Sequence, residues 1–109
     1  MVRWLGFFAL VWATQVSADQ TLFGPTRNGV QLVCADVSDA KITATDLVGT
    51  WVLGFWSGLN AAKNARVGDS TTASGLIGEV KLYCSSHPSV SLAQATLDTY
   101  TAMRESARK

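Results

Sequence analysis

Two cysteines, Cys34 and Cys84, are all that a chain of 109 residues carries. A chain this short buries a modest share of its surface and commonly needs a staple. Joined, the pair closes a loop of about 50 residues, and the chain-entropy relation assigns that cross-link roughly 4 kcal/mol. A small domain is expected to have only about 5 to 10 kcal/mol of total stability, so such a bond dominates it. Two other uses of the sulfurs stay open at this point. They could remain free thiols, or Cys34, Cys84 and His87 could hold a metal, since Cys84-Ser85-Ser86-His87 has ligand-like spacing. Three ligands without a second Cys/His pair fall short of a structural zinc set, so no metal is expected.

Which use prevails depends on compartment. Arg3 supplies a positive charge, Trp4 to Ala13 is an unbroken apolar run, and Val16-Ser17-Ala18 offers small residues at a cleavage position. That is the anatomy of a secretory signal peptide over residues 1–18, with a cut after Ala18 favoured over one after Ala13. The run is shorter than the roughly 20 residues needed to span a bilayer. An uncleaved N-terminal anchor is the alternative. No cysteine lies near either cut, which argues against a lipid anchor. The expectation is export to the periplasm, with secretion as the alternative, and no stable membrane insertion afterwards. That compartment is oxidising, which makes a Cys34–Cys84 disulfide the natural inference.

From Asp19 onward the chain forms one domain, 19–109, with eight Lys/Arg against eight Asp/Glu once Arg3 is removed. No basic run or face appears, so nucleic acid is not an expected partner. Gly24-Pro25 and Asn28-Gly29 mark turns, and residues 19–33 are expected to form a loosely ordered arm tied down at Cys34. Ser38 or Asp39 could open a short helical turn. From Asp46 to about Lys63, Leu47, Trp51, Phe55 and Leu59 recur every four residues, with Val48, Val52 and Trp56 in the adjacent row. That is the stripe of a core helix, with Asp46 at its N-terminus and Lys63 at its C-terminus. Asp69 or Ser70 can cap a second helix from about Thr72 to Ser85, with Leu76, Ile77, Val80, Tyr83 and Cys84 on one face. Pro88 ends it. Ser89 or Ser91 caps a last helix to about Ser106, with Leu92, Ala95, Leu97, Tyr100 and Met103 inward. The expected fold class is all-α, a small bundle of three to four helices stapled by one disulfide.

Catalytic groups do not converge in the sequence. His87 is the single histidine and sits beside a proline at a helix end. Phe55-Trp56-Ser57-Gly58 only partly echoes a nucleophile elbow, and the acidic residues are scattered. The expectation is no enzyme and no cofactor. Acid has a larger effect. At about pH 2 the carboxylates are protonated and the chain from Asp19 carries about +10, and self-repulsion on that scale loosens a compact state. Asp46 and Asp69, placed at helix N-termini, are the pH-responsive candidates, because carboxylates with depressed folded pKa values lose their stabilisation as pH falls.

Taken in order, Cys34, Trp51-Val52-Leu53-Gly54-Phe55, Leu82-Tyr83-Cys84 with Pro88, and Ser91-Leu92-Ala93-Gln94-Ala95 resemble the HdeA/HdeB acid-stress chaperone family over roughly residues 32 to 106. The resemblance implies a small helical periplasmic protein with a Cys34–Cys84 disulfide, a homodimer at neutral pH. In acid it would dissociate and hold unfolded periplasmic proteins on exposed apolar surface. Trp51, Phe55, Trp56 and Leu59 would then be the candidates for a surface shared by dimer and client.

The stripe Leu47/Trp51/Phe55/Leu59 is expected to be core, and Trp56 in the flanking row to be the contact residue. Gly54 and Gly58 share one face and let another backbone approach, at up to about 1 kcal/mol of helix stability each relative to alanine. The reading is an acid-activated holdase. The alternative is a small binding or immunity-type protein with one specific protein partner and no catalysis.

Overall fold

The computed structural model describes residues 22–38 and 41–108. The expected signal peptide and its cleavage site, the first residues of the arm, Asp39 and Lys109 lie outside them. The described chain is mostly helical. A two-stranded hairpin, β1 (Thr26–Arg27) and β2 (Val30–Gln31), leads into α1 (Cys34–Ser38), α2 (Leu47–Lys63), α3 (Ala73–Ser85) and α4 (Leu92–Ala107).

The N-terminal arm is more ordered than its composition suggests. Asn28 and Gly29 both take positive φ, at 54° and 82°, which is the requirement of a two-residue primed turn whose twist matches a hairpin. Thr26 pairs with Gln31 and Arg27 with Val30. The chain after the hairpin then lies along the segment that precedes α4. Leu92 N–H donates to Leu32 O at 2.9 Å, Cys34 N–H to Val90 O at 2.8 Å and Ala35 N–H to Pro88 O at 2.9 Å. These bonds start α1 at Cys34, earlier than a turn opened by Ser38 or Asp39. Asp36 closes the first turn of α1 by accepting Val33 N–H at 2.9 Å.

Cys34 and Cys84 form the disulfide, with Cα atoms 4.7 Å apart. It joins the short α1 to the last turn of α3, and both cysteines are buried. The bond occupies both sulfurs, so a metal set of Cys34, Cys84 and His87 is ruled out. Both cysteines belong to a core shared with Leu32, Val37, Val52, Trp56, Leu76, Ile77, Val80, Leu92 and Tyr100.

Helix ends follow local chemistry. Ser91 caps α4 by accepting Gln94 N–H. Thr72 caps α3 by accepting Gly75 N–H at 3.0 Å, displacing the expected start at Thr72 by one residue and the cap from Asp69 or Ser70. Asp69 instead pairs with Arg66 at 3.3 Å, and both side chains are exposed. Such pairs contribute little in water.

The inner side of α4 also differs from its apolar pattern. Thr96 and Thr99 are buried beside Leu92, Ala95 and Tyr100, while Leu97 and Met103 are half-buried. Each threonine hydroxyl donates to a carbonyl of its own helix at 2.8 Å, Thr96 to Leu92 O and Thr99 to Ala95 O. A hydroxyl satisfied in this way can enter a core as a small β-branched group.

Candidate functional site

Helix α2 has no charged side chain between its cap and Lys63. Helices with so little charge are normally enclosed, yet among the described residues this one packs on one side only. Its inner row is Gly49, Val52 and Trp56.

Trp56 is therefore core, with 2% of its surface exposed, and this corrects its assignment as the contact residue. Its Nε1–H donates to Val67 O at 2.8 Å, in the loop after α2. Its ring meets Tyr100 edge-on at 5.2 Å and 71°. An indole N–H entering a core needs an acceptor, and this loop carbonyl supplies it. Asn60 fixes the loop. Its Nδ2 donates to Val67 O at 3.1 Å and its Oδ1 accepts Val67 N–H at 3.0 Å.

The expected core stripe is corrected with it. Leu47 is 84% exposed. Trp51 and Leu59 lean on the rim of the core, and Phe55 does not touch it. Phe55 is held by stacking on Trp51, with ring centroids 5.1 Å apart. Gly54, Gly58, Ala61 and Ala62 are exposed alongside. A β-carbon built at Gly54 or Gly58 meets nothing within 4 Å. Among the described residues, then, these glycines admit no close backbone. The close approach in α2 is at Gly49, where a β-carbon would overlap the Thr43 carbonyl. The glycine spacing alone could not separate these cases, because it does not indicate where the preceding loop crosses.

The outward side of α2 is thus a continuous apolar face of Leu47, Trp51, Phe55 and small residues, with Thr50 and Ser57 as its polar edge. The N-terminal end of this face is held by Asp46. Its carboxylate accepts Gly49 N–H at 2.7 Å and Thr43 N–H at 2.7 Å. The hydrogen bonds from Gly49 and Thr43 hold the carboxyl below its ordinary value of 3.8. One group thereby caps α2 and pins the loop that crosses Gly49. At the other end Asn64 takes the left-handed conformation at φ 50° and closes the helix.

A second polar knot joins α3 to α4. Tyr83 OH donates to Asp98 Oδ2 at 2.6 Å, and Gln94 Nε2 donates to Asp98 Oδ1 at 2.8 Å. The Asp98 hydrogen bond pushes the Tyr83 phenol up to about 12. His87 stacks on Tyr83 at 4.0 Å, with Nδ1 2.8 Å from Tyr83 O. Beside them a shallow groove of about 290 Å³ runs between α3 and α4, lined by Glu79, Leu82, Tyr83, His87 and Met103 among others.

Among the described residues no helix is long and apolar enough to cross a membrane. No group of three or more His, Cys, Asp or Glu there could hold a metal ion. No family model, curated protein or solved structure matches the chain.

Proposed function

We propose that the protein is an acid-activated holdase of the periplasm, which binds denaturing proteins on the apolar surface of α2. The observation that carries this reading is a chargeless, solvent-facing helix side tied at its N-terminus to a carboxylate. The face centres on Trp51 and Phe55, and the tie is Asp46 to Gly49 and Thr43. Asp46 accepts these bonds as an anion. Its depressed folded pKa makes their stabilisation fully present above the ordinary value of 3.8. It is lost as pH falls through that value toward the folded one. Loss of the cap frays α2 from Leu47 inward and releases the 41–45 loop, adding apolar area to a face that is already open. The disulfide from α1 to α3 keeps the loosened chain compact. Charge accumulation to about +10 near pH 2 drives in the same direction.

The test is aggregation of an acid-labile client at pH 2 to 3, followed by light scattering, with the oxidised protein present or absent. Suppression at acid pH and none at pH 7 is expected, together with a gain in apolar-dye binding. No protection and no dye response would sink the reading. The groove between α3 and α4, with Leu82 exposed at its lip, favours the alternative of a binding protein for one specific partner. That alternative predicts an unchanged fold from pH 7 to pH 2.

A further inference from the structure

We propose that Asn28-Gly29, the tip of the hairpin, is a self-modification site. The chain's own atoms convert Asn28 to aspartate and isoaspartate, and the isoaspartate form unlatches the arm from α4. The inference goes beyond acid activation and stands without it. The chemistry begins at one backbone atom. The Gly29 nitrogen attacks Asn28 Cγ. The new N–C bond closes a five-membered succinimide ring, the Cγ–Nδ2 bond breaks, and ammonia leaves with the proton that Gly29 gives up. Water then opens the ring. Cleavage of the new bond gives aspartate. Cleavage at the main-chain carbonyl gives isoaspartate, whose main chain runs through Cβ and Cγ. One water enters, one ammonia leaves, and nothing is oxidised or reduced.

Three observations select Asn28. The first is the residue that follows it. A side chain there shields the attacking nitrogen, but Gly29 has none, and a β-carbon built on it meets nothing within 4 Å. Asn60 and Asn64 are followed by Ala61 and Ala65. The second is access. Residues 26–31 are all exposed, so water reaches the turn from both strands. Asn60 is instead held by Val67 and Tyr100. The third is the cost of reaching the attack geometry. Asn28 has φ 54° and Gly29 φ 82°, and the peptide between them must swing out of the turn. Two residue pairs resist this, Thr26 with Gln31 and Arg27 with Val30. A hairpin so short is marginal in water, so its tip opens locally while the rest of the chain stays folded. Arg27 and Asp36 are the charged side chains lining the recess beside Asn28, and the new carboxylate joins them there.

The consequence follows from the turn. Aspartate tolerates the left-handed conformation as asparagine does, so the aspartate form keeps the hairpin. A two-residue primed turn has no place for the extra main-chain atom of isoaspartate. That atom shifts both residue pairs and breaks the bond at the hairpin base, Leu32 N–H to Pro25 O at 2.9 Å. The base holds Gly24 against the first turn of α4, where a β-carbon on Gly24 would lie 3.1 Å from Ala93 Cβ. Cys34 N–H to Val90 O and the disulfide lie beyond the lesion and remain. Either product also adds one negative charge to a chain that, from Asp19, balances eight Lys/Arg against eight Asp/Glu.

Incubation of the oxidised protein at pH 7, beside a synthetic peptide of residues 24–34, tests the inference. Peptide mass spectrometry reads the gain of one mass unit, and labelling by an isoaspartyl methyltransferase reads the isoaspartate. Modification confined to Asn28 is expected, at a rate within about tenfold of the peptide's, because the tip opens at little cost. In the isoaspartate form, separated by ion exchange, hydrogen exchange at Leu32 N–H should be at least about tenfold faster, with Cys34 N–H unchanged. The aspartate form should exchange as the unmodified protein does. Asn28→Gly keeps a Gly-Gly primed turn and carries no side-chain amide. It should stay unmodified, with Leu32 N–H as protected as in the wild type. A rate more than about tenfold below the peptide's means that the folded turn shields the site, and overturns the inference. So does modification of Asn60 or Asn64 at the same pace, or isoaspartate at position 28 that leaves Leu32 N–H protected.

Discussion

Tyr100 donates its hydroxyl to Asn60 Oδ1 at 2.9 Å, across forty residues of sequence. The same oxygen accepts Val67 N–H, and the Asn60 amide returns a donor to Val67 O. One side chain thus ties α2, the loop after it and α4 together beneath the Trp56 ring. Tyr100→Phe removes one neutral hydrogen bond and is expected to cost about 1 kcal/mol. Asn60→Ala leaves the Val67 amide and the Tyr100 hydroxyl without this partner and is expected to cost about 2 to 4 kcal/mol. Urea denaturation at pH 7 measures both. Equal costs for the two variants would mean that the loop does not depend on Asn60.

Three glycines of one helix separate into two kinds. At Gly49 a methyl group would overlap the Thr43 carbonyl. Gly49→Ala must therefore displace backbone, and a cost of about 2 to 4 kcal/mol is expected. Gly54 and Gly58 face open space, so alanine at either should stabilise the fold by about 0.5 to 1 kcal/mol. Thermal unfolding of the three single variants checks the sign of each.

Asp46 is the carboxylate whose pKa the start of α2 holds down. Asp46→Asn keeps the shape and cannot ionise, and its amide cannot accept both backbone donors. Stability at pH 7 should fall. The loss of stability on acidification through the range below about pH 4 should become shallower, since the anion that disappears there is already absent. Urea midpoints at pH 7, 5, 4 and 3 for wild type and variant give the comparison. Parallel pH profiles would remove Asp46 from the acid response.

The Cys34–Cys84 bond spans 50 residues, and the loop-entropy relation gives it roughly 4 kcal/mol. Cys34→Ser with Cys84→Ser also places two hydroxyls at buried positions. The double variant should unfold at a much lower urea concentration, and in acid it should lose compactness as well as packing. Small-angle scattering at pH 2.5, oxidised against reduced, reads the second effect directly.

Tyr83 adds an alkaline counterpart. The hydrogen bond to Asp98 pushes its phenol up to about 12. The neutral phenol is favoured in the folded state, so the stability it adds is present below the ordinary value of 10.0. That stability is lost as pH rises toward 12. Ultraviolet titration of Tyr83→Phe against the wild type should remove the phenol transition near pH 12.

Much of the helical framework was legible in the sequence, because it is written in local chemistry. Asp46 before Leu47 and Ser91 before Leu92 cap helices through bonds that reach only three residues. Pro88 stops a helix without help from elsewhere. The face Leu76, Ile77, Val80, Cys84 reads correctly because polar residues interrupt it on the other side of α3. In α2 that contrast is missing. Leu47, Trp51, Phe55 and Leu59 repeat as regularly as Val52 and Trp56, so periodicity identifies the helix and leaves its rotation open.

The rotation was decided by groups distant in sequence. Trp56 turns inward because Val67 O, eleven residues on, accepts its N–H and because Tyr100, on α4, receives its ring. Gly49 is the glycine that a neighbour requires because the Thr43 carbonyl passes over it. The sequence by itself therefore determined four things about this protein: the helices, most of their ends, the two cysteines suited to pairing, and an α2 without charge before Lys63. The tertiary structure alone decided which side of that helix is core and which side stays exposed. A single helix of uniform polarity has no preferred inward side until a hydrogen-bond acceptor and a packing partner select one.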